Sequence, residues 1–194
     1  MNTYLIGRRS VLLAAALPVV ASCASPPLIV YTLEPPAVAS KSGPLQERMK
    51  VVEVRRIVVP DAYDSQDIVV RNGNTLARSS RGRWAVRYSS SATHFLVGLL
   101  ARQRPNVLVS DQPQIEPADY QLHVTVNALD VTAAGTASME ADWLITPRDP
   151  ARPSIRRRQS FTATGPVTTD QDVVALNANL LGQLGDAINA SAPW

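Results

Sequence analysis

The residues able to do chemistry are few. Cys23 is the single cysteine of the 194-residue chain and follows Val20-Ala21-Ser22. Two small residues before a cysteine match a bacterial lipobox, in which the thiol is acylated and the cysteine becomes the new N-terminus. A lone cysteine forms no intrachain disulfide, and an exported free thiol is a liability in an oxidising compartment. Acylation removes it. The alternative is a plain cleaved signal with an incidental cysteine. A nucleophilic triad needs a histidine beside a serine or cysteine and an orienting acid. Neither His94, in a serine-rich helix start, nor His123, on the outward side of a strand, stands in such a motif, and no G-x-S-x-G occurs. Glu140 and Asp142 share one strand face, but nothing builds the cleft that a glycosidase pair requires. No His, Cys, Asp and Glu cluster has metal-ligand spacing, and Arg71-Asn72-Gly73-Asn74 is a turn rather than a phosphate loop. The expectation is a non-enzyme without metal or cofactor.

The remaining chemistry is charge. Arg156-Arg157-Arg158 is the densest basic run, and Arg78, Arg81, Arg83 and Arg87 form a looser one around Trp84. Solvated arginines are one account; contact with anionic headgroups or an acidic partner face is the other. Trp84, Trp143 and Trp194 belong either to the core or to an interface, where large aromatics are enriched. The net charge of +3 includes Arg8 and Arg9; without them, 17 basic residues face 16 acidic ones. That balance argues against nucleic acid as a partner.

Stepping outward to the elements, Arg8-Arg9 and the apolar run Val11–Val20 form a signal peptide over residues 1–22. The run is shorter than the roughly 20 residues that a bilayer span takes. Arg8-Arg9-Ser10-Val11-Leu12 is compatible with twin-arginine export as well as with ordinary Sec export. Residues 23–49 hold Pro26, Pro27, Pro35, Pro36 and Pro44 and read as a tether and spacer, with a first strand near 28–33. Residues 50–194 read as one domain: apolar residues make up 45% and charged residues 18%, enough for a core.

Within the domain, Val51–Val59 predicts a strand ended by Pro60. Asp67–Arg71 and Thr75–Arg78 predict a hairpin about Asn72-Gly73-Asn74. A basic loop then leads to a helix over Trp84–Arg102, with Val86, Phe95, Leu96, Leu99 and Leu100 on its apolar stripe. Asn106–Ser110 is a short strand. Tyr120–Val131 alternates, with Tyr120, Leu122, Val124, Val126 and Ala128 on one face; Ala137–Ile145 and Ile155–Thr164 complete an antiparallel meander. Thr168 with Gln171 predicts a capping box opening a helix over Thr169–Ala190. Its stripe is Val173, Leu176, Leu180, Leu184 and Ile188. The class is α/β: a mixed, largely antiparallel sheet with two main helices packed on it in a single domain.

The order Tyr31-Thr32-Leu33, Val58-Val59-Pro60-Asp61-Ala62-Tyr63, Asp67-Ile68-Val69-Val70-Arg71, Asn74-Thr75-Leu76 and Arg83-Trp84-Ala85 resembles one family. It is that of the PqiC/YmbA-type auxiliary lipoproteins of bacterial ABC and MCE lipid-transport systems. The resemblance covers nearly all of the mature chain and contains no catalytic signature. It implies a three-layer fold comparable to the N-terminal domain of TolB. It also implies a palmitate-bearing auxiliary subunit that partners an MCE-domain protein and an ABC transporter permease and ATPase, contributes to membrane integrity and self-associates. Ala24 after Cys23, where aspartate usually retains a lipoprotein at the inner membrane, implies the periplasmic face of the outer membrane. Trp84, Arg83 and Arg156–Arg158 are the expected partner or headgroup contacts, and the resemblance favours Trp84 among the tryptophans. A stand-alone periplasmic lipid-binding or chaperone lipoprotein is the other reading; it requires an apolar pocket of a few hundred cubic ångströms.

Overall fold

The structure is a computed structural model that describes residues 27–35 and 49–194. The signal peptide and Cys23 lie outside the described residues. The elements run β1 (Ile29–Tyr31), β2 (Lys50–Val54), β3 (Asp67–Asn72), β4 (Thr75–Trp84), α1 (Tyr88–Gln103), β5 (Val107–Ser110), β6 (Tyr120–Val131), β7 (Thr136–Pro147), β8 (Ile155–Thr164) and α2 (Asp170–Ser191).

The class is α/β, with two helices packed on mixed sheets. The strands divide into two ladders, ordered β1-β4-β3 and β5-β2-β6-β7-β8. β2 lies between β5 and β6, parallel to both. Covered on either side, its Val52 and Val54 are almost wholly buried. The run predicted as one strand to Val59 does follow β6 that far, through hydrogen bonds from Arg55 N to Leu122 O (2.9 Å) and Val58 N to Val124 O (3.0 Å). Residues 55–57 break the ladder by leaving it toward α1, where the Ile57 N–H donates to Thr93 Oγ1 at 3.0 Å.

The hairpin β3–β4 forms its own ladder and meets β6 at the Arg71–Thr132 bridge. Its two-residue turn is Gly73-Asn74, and only Gly73 takes positive φ, +57°. Beyond Arg78 the chain continues as β4 to Trp84 rather than as a loop, but Ser79–Gly82 bulge out of register between the pairs Val69–Arg78 and Asp67–Arg83. The Ser79 hydroxyl holds the bulge by accepting from Gly82 N (2.8 Å) and donating to Asp170 Oδ2 (2.8 Å). Glycine at 82 leaves room for the Asp170 carboxylate, which a Cβ there would displace.

α1 starts at Tyr88, not Trp84. Arg87 gives no side-chain cap, and Val86 lies before the helix, 42% exposed. Tyr88 N donates to Ser65 O and Ser89 N to Asp64 Oδ1, both at 3.1 Å, so the β2–β3 connection terminates the helix from outside. In the buried polar first turns, Thr93 Oγ1 also donates to Ser89 O at 2.6 Å, while the Ser89 hydroxyl has no protein partner among the described residues.

The meander β6–β7–β8 matches its predicted bounds closely, with one change of phase. A register shift between Val126 and Ala128 leaves Ala128 exposed and turns Leu129 and Val131 into the core. Met139, Ala141, Trp143, Ile145 and Phe161 line the helix side. All five predicted stripe residues of α2 are buried. Its capping box is Thr169 with Asp172, one residue later than predicted: Thr169 N donates to Asp172 Oδ2 (2.8 Å) and Asp172 N to Thr169 Oγ1 (3.2 Å). The Thr168 hydroxyl, which donates to Asp172 Oδ2 at 2.8 Å, and then the bonds with Thr169 hold the Asp172 carboxyl below its ordinary range. At Gly185 the helices come close enough that a Cβ would lie 2.3 Å from Leu99 Cδ2.

Candidate functional site

The titratable groups do not converge. His94 sits on the exposed side of α1 and reaches Asp111 Oδ2 at 3.1 Å. His123 faces the other way, outward from β6. Among the described residues no group of three His, Cys, Asp or Glu side chains could hold a metal ion. Glu140 and Asp142 do share the outer face of β7, and Arg158 on β8 stands across from them. Its guanidinium grips Asp142 with two bonds, 2.6 and 2.7 Å, and lies 3.9 Å from Glu140. Arg158 is thereby raised above its ordinary value, chiefly by the bond to Asp142, and Asp142 is lowered, chiefly by the bond from Arg158. This is a neutralised surface pair, unlike an acid–base couple whose environments push two carboxyls apart.

Three of the four arginines near Trp84 are likewise occupied, while Arg81 is exposed and paired with no acid among the described residues. Arg78 and Arg83 both pair with Asp67, Arg87 pairs with Asp64, and Arg83 also donates to the carbonyls of Ser79 (2.5 Å) and Gly82 (2.7 Å). Trp84 itself is core. It is 3% exposed and packs edge-on against Tyr88 with centroids 5.6 Å apart. The folded surface does not offer its indole to a partner, and burial decides the same for Trp143 and Trp194, 3% and 8% exposed. Tyr88 is buried too; its hydroxyl donates to Asn177 Oδ1 at 2.9 Å, and burial pushes its pKa well up.

What also stays open on the surface is β8. Arg156 and Arg157 are exposed, and among the described residues neither is paired with an acid. The pairings His123–Leu144–Arg156 and Thr125–Asp142–Arg158 form rows across the outer face. They border an open groove of about 520 Å³. Arg157, opposite Trp143, faces a second groove of about 640 Å³ between β8 and α2. The cavity against the core beneath Trp84 and Tyr88 has only about 10 Å³.

One cluster escaped the sequence. Tyr63, from the β2–β3 connection, donates to Asp130 Oδ1 near the end of β6, and Arg71 Nε, on β3, donates to the same oxygen at 2.5 Å. Arg71 also reaches the Tyr63 hydroxyl at 3.1 Å. Burial, then the bond to Asp130, pushes Tyr63 up to about 12. Tyr63 and Arg71 stand in the motif string that carries the family resemblance; Asp130 gave no signal, because the β6 bulge sets where it points. The cluster ties the small sheet to the large one.

Residues 31–189 match the profile of a family described as the ABC-type transport auxiliary lipoprotein component. No curated protein sequence matches significantly. Among solved structures, the chain is similar to an uncharacterized protein (TM-score 0.68, 20% identity, 86% of this chain and 99% of that one). It is also similar to a Xanthomonas campestris protein of the DUF330 family (TM-score 0.61, 15% identity, 84% and 94%). At these identities the likeness concerns the fold.

Proposed function

Because this chain belongs to the family of ABC-type transport auxiliary lipoprotein components, we propose that it is the non-enzymatic, membrane-anchored auxiliary subunit of an MCE-type transporter. That system moves lipids across a Gram-negative envelope and contributes to membrane integrity. The observation that carries this reading is the extent of the family match, which runs from β1 to the last turns of α2. In this role Cys23 bears the acyl chains, each contributing ~0.8 kcal/mol per buried methylene, and more than one chain makes anchoring stable. Ala24 directs the protein to the periplasmic face of the outer membrane.

The fold supports a short tether. β1 pairs with β4, and Leu33 is buried, so the chain is already docked on the domain by Leu28. Four residues lie between Cys23 and Leu28, and the five steps from one Cα to the next span at most ~18 Å. Leu28 and Val30, each 58% exposed, therefore stand beside the anchored end. A domain held this close to the membrane acts by raising the local concentration of its partner, the MCE-domain protein and its permease and ATPase. The cavity beneath Trp84 is too small for a lipid, and the grooves of about 520 and 640 Å³ are open and lined by arginines rather than enclosed and apolar, which favours the auxiliary reading over a carrier.

The test is gentle purification of the full-length lipidated protein from its native membranes, with co-purifying proteins and lipids identified by mass spectrometry. Stoichiometric MCE or permease subunits are expected, and native mass spectrometry of the same sample reports self-association. Phospholipid alone would favour a carrier; neither would overturn the assignment.

A further inference from the structure

We infer that the open edge of β8 receives an extended acidic segment of a partner protein, which adds to the five-stranded sheet as a sixth strand. The inference rests on the reading of this chain as a docking subunit and names where and how it docks. β8 is ten residues long and ends the sheet, so one row of its backbone groups has no ladder partner; among the described residues, side chains cover only two of its carbonyls, Gln183 bonding Thr162 O (2.8 Å) and Arg157 bonding Arg156 O (2.9 Å). Long open edges invite pairing, and natural sheets protect them with charge. The charge here is of one sign: Arg156, Arg157 and Arg158 are consecutive, and residues 156–160 are all exposed. Two copies meeting antiparallel about Arg157 would oppose arginine to arginine. An acidic strand would not be repelled.

The unpaired ladder at the sheet end favours a strand over a headgroup. Arg156 projects to the outer face and Arg157 to the helix side, because their cross-strand neighbours Leu144 and Trp143 lie on opposite faces. Their stems leave the strand on opposite faces, although the Arg157 guanidinium donates back to Arg156 O at 2.9 Å and Arg156, Arg157 and Arg158 all border the outer groove. The stems match neighbouring residues of an added strand, whose side chains also alternate between faces. Both sides are receptive. The outer groove lies against Leu144 and Arg156. The inner groove runs from Arg157 along Phe161 to Ala187 and Ala190 of α2. Asp186 also borders the inner groove, with its carboxylate bonded by Gln103 at 2.5 Å. Main-chain bonds supply affinity in such strand addition, and alternate side chains supply specificity.

The test uses the full-length protein in detergent with three fluorescent decapeptides rich in valine and threonine. One carries two adjacent glutamates, one carries lysines in their place, and one is the glutamate peptide N-methylated along the edge that would pair. The expected result is saturable binding of the glutamate peptide, weakened at least tenfold by lysine, by N-methylation, and by Arg156→Glu with Arg157→Glu. Hydrogen exchange is expected to slow within Ile155–Thr164. Circular dichroism establishes that the exposed double variant remains folded. Equal binding of the N-methylated peptide, protection elsewhere, or no binding would overturn the inference. So would arginine-dependent binding to phosphatidylglycerol vesicles with none to the peptide. If native purification still yields a transporter subunit, the auxiliary role stands and the docking face lies away from β8.

Discussion

The Asp64 carboxylate accepts the Ser89 backbone N–H at 3.1 Å, and so a residue 25 positions upstream closes the N-terminus of α1. Burial alone would raise Asp64, but the bonds from Ser89 and the charge of Arg87 outweigh it and lower the pKa below 3.8. A carboxyl lowered by folding stabilises the protein above its unfolded value and loses that contribution as the pH falls through the folded value. Asp64→Ala is expected to cost about 1 kcal/mol at pH 7, the usual worth of such a cap. Asp64→Asn keeps an acceptor and should retain most of the stability while flattening the acid limb. Urea unfolding of the three proteins between pH 3 and 7 checks this.

Gly182 and Gly185 lie in the same helix and should respond to alanine with opposite signs. Both gain about 1 kcal/mol of intrinsic propensity. At 182 nothing lies within 4 Å of the new Cβ, so Gly182→Ala should stabilise. At 185 the Cβ meets Leu99, itself 4% exposed and unable to yield freely. Overpacking of about 1–3 kcal/mol then exceeds the propensity gain. Thermal unfolding separates the two.

Trp84→Ala should destabilise the domain by about 3–5 kcal/mol, as removal of a large core aromatic does. Trp84→Phe should retain most of the fold and leave transporter association unchanged. Denaturant unfolding together with co-purification checks both, and loss of association in a folded Phe variant would restore Trp84 as a contact.

Alkaline unfolding should report Tyr63. Its folded pKa of about 12 exceeds the ordinary 10.0, so the contribution is complete below pH 10 and is lost as the pH rises through 12. Tyr88 is raised as well and shares this limb. The difference between the wild type and Tyr63→Phe in an ultraviolet phenolate titration assigns Tyr63: the variant should lose one late-ionising tyrosine.

The elements most legible in sequence were those whose pattern is local and whose one face is buried. Tyr120–Val131 and the stripe from Val173 to Ile188 follow from periods of two and 3.6, which burial on one side imposes residue by residue. The start of α1 was not legible, because its cap is Asp64 rather than a neighbour. The phase of Ala128 was not legible either, since a bulge answers to the partner strand β7.

The same division holds for the surface. Residue types alone determined that Cys23 is the acylation candidate, that no catalytic motif accompanies His94 or His123, and that the basic charge concentrates in two runs. Which arginines remain open was decided only by tertiary structure. Asp67 and Asp64 neutralise Arg78, Arg83 and Arg87, and Asp142 takes Arg158; of the two runs, Arg81 on the β4 bulge and Arg156 and Arg157 on the sheet edge have no acid beside them among the described residues. Charge is a property of the residue, whereas availability depends on which acids the folded chain brings within a few ångströms.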